Sequence, residues 1–221
     1  MHTFDTPAPI SALLDIPAGR VRFIADDRTD TAVEVRPADP AKGRDVKVAE
    51  QTAVEYADGV LRIKATAKNQ LLGPSGFIDV TVRLPAGSRV EAKAASAEFR
   101  GVGRLGDVTF EGAHGSVELD QATGVHLTTH GGDVTVGRLD GSAEISTGKG
   151  DIRITEAVRG TVVLRTQAGQ VSVGAAAGVS ASLDAGTGYG RIHNALRNAD
   201  GTAALNIHAT TDYGDIVARS L

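Results

Sequence analysis

The sequence predicts an all-β protein, a parallel β-helix of about seven coils of 17–24 residues with a β-rich N-terminal cap. From Val90 to Ala218 the chain repeats one phrase, in which two short runs of alternating apolar residues flank a Gly-rich turn. Clear copies lie at 108–119, 125–136 and 143–154. This pattern is typical of a strand, a corner and a second strand. A unit this short cannot bury its apolar face alone, so the copies are expected to stack as a solenoid.

The spacing of the repeat defines the predicted coils. The first-strand position recurs every 17–19 residues until the last step, which is 24 residues long. The second-strand position follows nine residues later in five copies and 11 residues later in the last two. Such short sides leave no room for crossover helices, so we expect parallel rungs about 4.8 Å apart. The first-strand positions are Val90, Val108, Val125, Ala143, Val162, Ala181 and Leu205, and the second-strand positions are Phe99, Val117, Val134, Ile152, Val171, Ile192 and Ile216.

Residues 1–89 are predicted to form the N-terminal cap, continuous with the coils of residues 90–221. Their pattern is strand-rich but less regular. Residues 10–35 could form an incomplete coil, and short strands are expected at 46–48, 54–56, 61–63 and 78–84. Two segments with turn-forming residues, 37–45 and 68–76, are expected to be exposed loops. A cap is expected because the terminal repeat of a solenoid must cover an otherwise open sheet edge.

The composition restricts the classes of binding partner and the cellular compartment that the sequence predicts. A net charge of −4 with 4% aromatic residues provides neither the basic field nor the stacking surfaces of a nucleic-acid binder. The absence of cysteine excludes disulfides, zinc–thiolate sites and a cysteine nucleophile. No apolar run approaches the ~18 residues that span a bilayer, and the first ten residues lack a signal-peptide pattern. The sequence therefore predicts a cytoplasmic protein without membrane insertion.

One glycine pattern matches a cofactor fingerprint without its structural context. Residues 101–106 have the G-x-G-x-x-G spacing of a dinucleotide-binding loop, but that motif needs a helix whose N-terminus faces the pyrophosphate. Residues 107–111 alternate as a strand instead. The segment Gly148–Lys149–Gly150 lacks the other residues of a phosphate-binding loop. Both segments are interpreted as coil corners, and no cofactor is predicted.

Carboxylates recur just before the second strand, at Asp133, Asp151 and Asp215. Stacked carboxylates could bind calcium, but other copies place Ser116, Gln170 or Arg191 at this position. An aspartate at a turn commonly accepts a hydrogen bond from backbone, so a structural role is expected. The histidines are spread over strands and corners in a pattern that does not bring three of them to one metal. No metal is predicted. The histidines are His2, His114, His126, His130, His193 and His208.

The sequence predicts no enzyme activity and no catalytic residues. Carbohydrate-cleaving β-helices use a cluster of carboxylates on an outward strand face. The predicted outward positions of successive strands carry residues of both charges and many short side chains. Among them, His126 and Glu144 are expected to lie next to each other as an acid–base pair. A solvated face explains that pair, and no Gly-x-Ser-x-Gly elbow occurs.

The C-terminal end is the predicted interaction site, formed by Tyr189, Tyr213, Ile216 and Ala218. Each tyrosine precedes a second-strand position by three residues, so the two rings are expected to stack on each other at the last two corners. No amphipathic helix follows Ala218 to cover the last coil, although the insertion 194–203 could cover part of it. An open edge there could pair with another copy, giving an end-to-end dimer or a filament.

Several of these motifs resemble the bacterial DUF4097 family of adhesin-like β-strand repeat proteins. The resemblance covers nearly the whole chain, and its most specific part is Leu84-Pro-Ala-Gly-Ser88 before the repeats. It implies the repeat architecture and an adhesin-like label, and it brings no family-wide catalytic residues. The corner motifs that carry it further lie at 129–134, 147–152, 166–171 and 213–216.

Two functional interpretations remain open. The first is a non-catalytic solenoid scaffold that binds an unknown protein partner or further copies of itself. The alternative is a carbohydrate-binding or carbohydrate-active β-helix protein. Size-exclusion chromatography with light scattering separates them, because growing oligomers favour the first and a strict monomer that binds glycans favours the second.

Overall fold

The computed structural model describes residues 1–65, 76–198 and 202–221, which form two compact units, Met1–Gly115 and Ser116–Leu221. The predicted all-β, solenoid-like fold is confirmed. Strand β7, predicted to belong to the coils, lies in the same unit as the predicted cap. The first unit contains β1 (His2–Asp5), β2 (Ser11–Asp26), β3 (Asp30–Pro37), α1 (Gly43–Glu50), β4 (Thr52–Ala57), β5 (Val60–Ala65), β6 (Ile78–Pro85) and β7 (Arg89–His114). The second contains β8 (Val117–Gly131), β9 (Val134–Leu139), β10 (Ala143–Lys149), β11 (Ile152–Ala157), β12 (Gly160–Ala168), β13 (Val171–Ala175), β14 (Ala181–Tyr189), β15 (Ile192–Ala195), β16 (Leu205–Tyr213) and β17 (Ile216–Ser220).

The first unit is built around β2, which has parallel neighbours on both edges. Ala12 is in register with Leu61 of β5 on one side and with Val90 of β7 on the other. Val21, nine residues after Ala12, is in register with Phe99. Strand β2 is therefore a further copy of the repeat, inside the predicted cap and within the segment expected to form an incomplete coil.

Antiparallel strands complete this unit. Strand β3 pairs antiparallel with β6 and β1, and β4 pairs antiparallel with β5. The rings of Phe4 and Tyr56 join β1 to β4, with centroids 5.4 Å apart. The interior carries a run of three aromatic side chains, since the Phe23 and Phe99 centroids lie 5.6 Å apart and those of Phe99 and Phe110 lie 5.4 Å apart.

The strand predicted at 46–48 is wrong, because these residues lie in the helix α1. Asp45 and Val48 are its buried residues, and their spacing of three is that of a helix face. The Asp45 carboxylate accepts a hydrogen bond from the backbone N–H of Phe77 at 2.9 Å, which ties the helix to the start of β6. The predicted loop 37–45 is therefore correct only for residues 38–42, between the end of β3 and the start of α1. The predicted loop at 68–76 lies outside the described residues except for Gly76.

The Leu-Pro-Ala-Gly-Ser segment joins β6 to β7 through a buried serine. Ser88 is fully buried, and its hydroxyl donates to the carbonyl of Pro85 at 2.6 Å and accepts the backbone N–H of Ile10 at 3.0 Å. Gly87 has a φ of 81°, a conformation that favours glycine. The motif thus makes a tight turn and ties it to the start of the β2 coil.

The second unit consists of two columns of parallel strands. The predicted alignment of Val117, Val134, Ile152 and Val171 is confirmed, because each is in register with the next. These side chains are at most 1% exposed, as expected for a continuous aliphatic interior.

The C-terminal strands do not lie at the end of this unit. Strand β16 lies between β12 and β14, and β17 lies between β13 and β15. Ile207 of β16 is in register with Val162 on one side and Leu183 on the other. The last segment of the chain is therefore inserted between two rungs that are neighbours in sequence.

The register also corrects two predicted first-strand positions. Leu183 and Ile207 align with Val162, whereas the residues predicted to do so, Ala181 and Leu205, align with Gly160. From Leu183 to Ile192 and from Ile207 to Ile216 the separation is nine residues, as in the other copies. The extra length of the last copies thus lies outside the two-strand unit.

Candidate interaction edge

Buried threonines join the Gly-rich corners of the second unit. Thr129, Thr147, Thr166 and Thr211 are in register and between 3% and 5% exposed. The hydroxyl of Thr166 donates to the carbonyl of Gly150 at 3.0 Å, and that of Thr211 donates to Gly169 at 3.0 Å. The hydroxyl therefore satisfies a corner carbonyl of the neighbouring rung. The recurrence of threonine before the corner glycines is the sequence signal for this contact.

The corner aspartates bond to the following rung of the stack, whereas the threonines bond to the preceding one. The Asp133 carboxylate accepts the backbone N–H of Asp151 at 2.9 Å, and the Asp151 carboxylate accepts that of Gln170 at 2.7 Å. Asp215 accepts the backbone N–H of Arg191 at 2.8 Å and the Arg191 guanidinium at 3.1 Å. These two contacts lower the pKa of the Asp215 carboxyl. The predicted structural role is confirmed, although each aspartate bonds the next rung instead of its own turn.

The terminal coil of the second unit is formed by β14 and β15. Among the described residues, β14 pairs as a strand only with β16, and β15 pairs only with β17. Their outer edges are therefore open except at Ala181, whose backbone N–H donates to the carbonyl of Arg197 at 3.4 Å. All four residues of β15 are exposed, and Ile192 is 45% exposed. Arg191 occupies the position that Asp215 holds in the rung below, so this coil has no carboxylate there to accept a further rung. Gln170 also lacks a carboxylate at this position although its rung is covered by β17, so this difference alone is not a sequence signal for the end.

The predicted stacking of Tyr189 and Tyr213 is confirmed. Their ring centroids lie 5.1 Å apart with an interplanar angle of 5°. The two residues are 72% and 61% exposed. In a face-to-face pair, the inner faces cover each other, and Tyr189 lies on the edge strand. Tyr189 therefore presents a flat aromatic surface at the open end.

The predicted placement of Ile216 and Ala218 at an exposed end is wrong. Both residues are 1% exposed, because β17 is covered on both edges. Ile192 of β15 takes the place that Ile216 was expected to have. Of the predicted insertion 194–203, residues 199–201 lie outside the described residues. Arg197 within it donates its backbone N–H to the Ser220 hydroxyl at 2.9 Å.

Acid–base pairs lie on the outward face of the first-strand column. His126 Nδ1 lies 3.6 Å from the Glu144 carboxylate, which also accepts a hydrogen bond from Arg165 at 3.1 Å. His208 Nδ1 lies 3.3 Å from the Asp184 carboxylate. These side chains are between 49% and 83% exposed, so the contacts lie on a solvated face.

The glycine pattern at 101–106 lies within β7. Gly103 has a φ of 79°, and a Cβ there would lie 2.0 Å from the carbonyl oxygen of Ala25. The glycine is required by close approach of the backbone, in agreement with the structural interpretation. In the described part of the chain, no three His, Asp or Glu side chains converge as metal ligands would. No described helix is both long and apolar enough to cross a membrane.

Stacked short strands, corner ladders and an open terminal coil define an all-β, solenoid-like repeat protein. The chain belongs to the DUF4097 family, since the family model described as Toastrack DUF4097 matches residues 17–220. The predicted resemblance is thereby confirmed. A comparison with curated proteins finds no match.

Solved structures with similarity to this chain include proteins of three bacteria. A "putative cell adhesion protein" of Clostridium sporogenes is 11% identical with a TM-score of 0.43, covering 100% of this chain and 98% of its own. A "putative adhesin" of Bacteroides fragilis is 12% identical with a TM-score of 0.48, covering 98% and 95%. One of Parabacteroides distasonis, described in the same words, is 14% identical with a TM-score of 0.45, covering 100% and 95%.

Proposed function

We propose that this protein is a non-catalytic, adhesin-like β-solenoid scaffold that associates with further copies of itself through its terminal coil. The proposal includes a parallel β-helix of about seven coils in residues 90–221, supported by the constant nine-residue separation within the copies. The observation that carries the function is the open edge of β14 and β15. An open edge presents unpaired N–H and C=O groups, for which another strand is the natural complement.

Exposed apolar surface at the same place supports association. Ile192 and the outer face of Tyr189 are exposed at this edge. One rung below, Ile216 is buried and the Tyr213 ring is covered on one face by Tyr189. Tyrosine combines a large apolar area with few rotatable bonds and is enriched at protein interfaces. The exposed acid–base pairs lie on solvated faces, which supports the non-catalytic part of the proposal.

Light scattering coupled to size-exclusion chromatography over a wide concentration range tests self-association. We expect the mass to rise with concentration and Ile192→Asp to abolish the rise, because the change places a charge on the open apolar edge. Thr128→Asp is the matched control, since it adds the same charge on an exposed outward position of β8. A wild-type protein that stays monomeric throughout contradicts the proposal.

Carbohydrate binding is a second candidate because the outer face of Tyr189 is flat and 72% exposed. Sugar rings stack on such faces through their C–H groups. Titration with a panel of oligosaccharides, using wild type and Tyr189→Ala, tests this candidate. Saturable binding that Tyr189→Ala removes, in a protein that remains monomeric, favours it over the scaffold.

A further inference from the structure

At the Gly-rich corner of the second unit, one row of residues changes from aromatic to small and then to basic side chains. Tyr189, Tyr213, Ala168 and Lys149 occupy equivalent positions on four successive rungs, because each is in register with the next. The side chain of Ala168 ends at its Cβ, and Gly169 follows it in the chain. The row therefore contains a slot one rung wide, with Ala168 as its floor and with Tyr213 and Lys149 as its walls.

The face of Tyr213 that borders this slot is exposed. Each ring of the stacked pair covers one face of the other, so most of the remaining exposure of each ring is on its second face. Tyr213 is 61% exposed, close to the 72% of Tyr189, although a further rung follows on the side of Tyr213 that Tyr189 does not cover. A rung that carries Ala168 at this position thus leaves the second face of Tyr213 nearly as open as the outer face of Tyr189.

The width of the slot suits a single six-membered ring. Neighbouring rungs are about 4.8 Å apart, so the backbones of Lys149 and Tyr213 lie about 9.6 Å apart. The rings of Tyr189 and Tyr213, which are one rung apart, have centroids 5.1 Å apart. A ring over Ala168 would lie at a similar distance from Tyr213 and would have Lys149 on its other side.

The polar groups around the slot indicate the chemical class of this ring. Lys149 and Asp212 are exposed charges of opposite sign, and Gln167 is an exposed amide on the rung of Ala168. An ammonium donates hydrogen bonds, a carboxylate accepts them and an amide does both. A neutral ring with hydroxyl groups suits all three, whereas a charged ring meets one like charge. The C–H groups of a pyranose ring also suit the negative face of an aromatic ring.

We propose that the slot formed by Tyr213, Ala168 and Lys149 binds a neutral pyranose ring of a glycan. The inference rests on the carbohydrate-binding candidate given above and names its sugar class. It places the sugar on the opposite side of the stacked pair from the outer face of Tyr189. It does not use the open edge of β14 and β15, so sugar binding here and self-association are separate results.

Isothermal titration calorimetry with maltotriose, cellotriose and mannotriose tests the slot in wild type, Ala168→Tyr and Ala168→Ser. We expect saturable binding of at least one trisaccharide by the wild type. Ala168→Tyr should lower the association constant about tenfold or more, because its ring fills the slot and replaces a stacking contact. Ala168→Ser is the matched control, since it keeps a small side chain and should bind as the wild type does.

Chemical shifts of the wild-type protein give a second measurement that needs no substitution in the slot. On saturation with the trisaccharide, the Ala168 methyl and the Tyr213 ring protons are expected to shift more than the Tyr189 ring protons. Tyr189→Ala should retain most of the affinity, because the sugar contacts the other side of the pair. Larger shifts at Tyr189 would contradict the assigned face.

Three results would overturn the inference. The first is binding that Tyr189→Ala removes and Ala168→Tyr leaves intact, which assigns the sugar to the outer face of Tyr189. The second is binding of trigalacturonate without binding of any neutral trisaccharide, which contradicts the neutral class. The third is the absence of sugar binding, which overturns the carbohydrate candidate as well and leaves the self-association proposal to the light-scattering test.

Discussion

A corner glycine in the second unit is required by the backbone of the adjacent rung. Gly150 has a φ of 140°, and a Cβ on it would lie 2.3 Å from the carbonyl oxygen of Gly132. Neither atom can move without disturbing the hydrogen bonds that join the rungs, since Gly132 donates to Lys149 and Gly150 to Ala168. The glycine pattern of the sequence thus encodes the stacking of coils as well as their turns.

Gly150→Ala is expected to lower the free energy of unfolding by about 1–3 kcal/mol, because it combines a strained φ with a backbone clash. Urea denaturation followed by circular dichroism measures the loss. Gly186→Ala is the matched control, since its Cβ would lie in open space on β14. Equal losses in the two variants would contradict the stacking explanation.

The carboxyl group of Asp140 is expected to make the free energy of unfolding depend on pH. Its carboxylate accepts hydrogen bonds from Gln121 at 2.7 Å and from Arg138 at 2.9 Å. These contacts favour the charged form and lower the pKa of the carboxyl, with the Gln121 bond as the largest cause. A carboxyl whose pKa is lower in the folded state stabilises the protein above its unfolded pKa of about 3.9. That stabilisation is lost as the pH falls through the folded-state pKa.

Asp140→Asn is therefore expected to lower the melting temperature at pH 7 and to reduce its fall between pH 5 and acidic pH of about 2.5. Thermal unfolding across this range measures both effects. Asp27→Asn, at an exposed turn residue, serves as the control. A pH profile for Asp140→Asn that runs parallel to the wild type would show that these bonds have no such role.

At the scale of elements, neighbouring strands differ according to whether a further rung covers them. Ile216 of β17 and Ile192 of β15 are in register and chemically identical. Ile216 is 1% exposed and Ile192 is 45% exposed, because only β17 is covered on both edges. The insertion of β16 and β17 thus buries the more apolar of the last two coils and leaves the coil with Arg191 and Asn194 at the end.

Truncating these two isoleucines compares a buried rung with an open one. Ile216→Ala is expected to cost about 2–5 kcal/mol of unfolding free energy, the range for a buried aliphatic residue, and Ile192→Ala distinctly less. Chemical denaturation of both variants gives the difference. A larger loss for Ile192→Ala would place β15, not β17, inside the stack.

At the scale of the whole molecule, the two compact units share one feature. In each unit, a segment near one end of the chain lies between two coils that follow each other in the sequence. In the first unit, β2 pairs with β5 and β6 on one side and with β7 on the other. In the second unit, the rung of β16 and β17 lies between the rung of β12 and β13 and the rung of β14 and β15. Segments near both termini are therefore held by neighbours on two sides. Strand order along the chain does not predict local stability.

Native-state hydrogen exchange is expected to reveal this order. Amides of β16, such as that of Ile207, should exchange more slowly than those of β14, although β16 comes later in the chain. Opening of an edge strand needs fewer contacts to break than opening of an internal one. Faster exchange throughout β16 and β17 than in β14 and β15 would support a simple sequential stack instead.

Residue periodicity alone determined the repeat, its two-strand unit and the inward positions from Val117 to Val171, because alternation and Gly-rich turns are local signals. The stacking of Tyr189 on Tyr213 also followed from spacing. Only the tertiary structure decided that α1 is a helix, that β2 lies between two other rungs, and that β14 and β15 form the open end. These features depend on which parallel strand lies next to which. Since parallel rungs offer similar edges to one another, the local sequence pattern cannot determine their order in the stack.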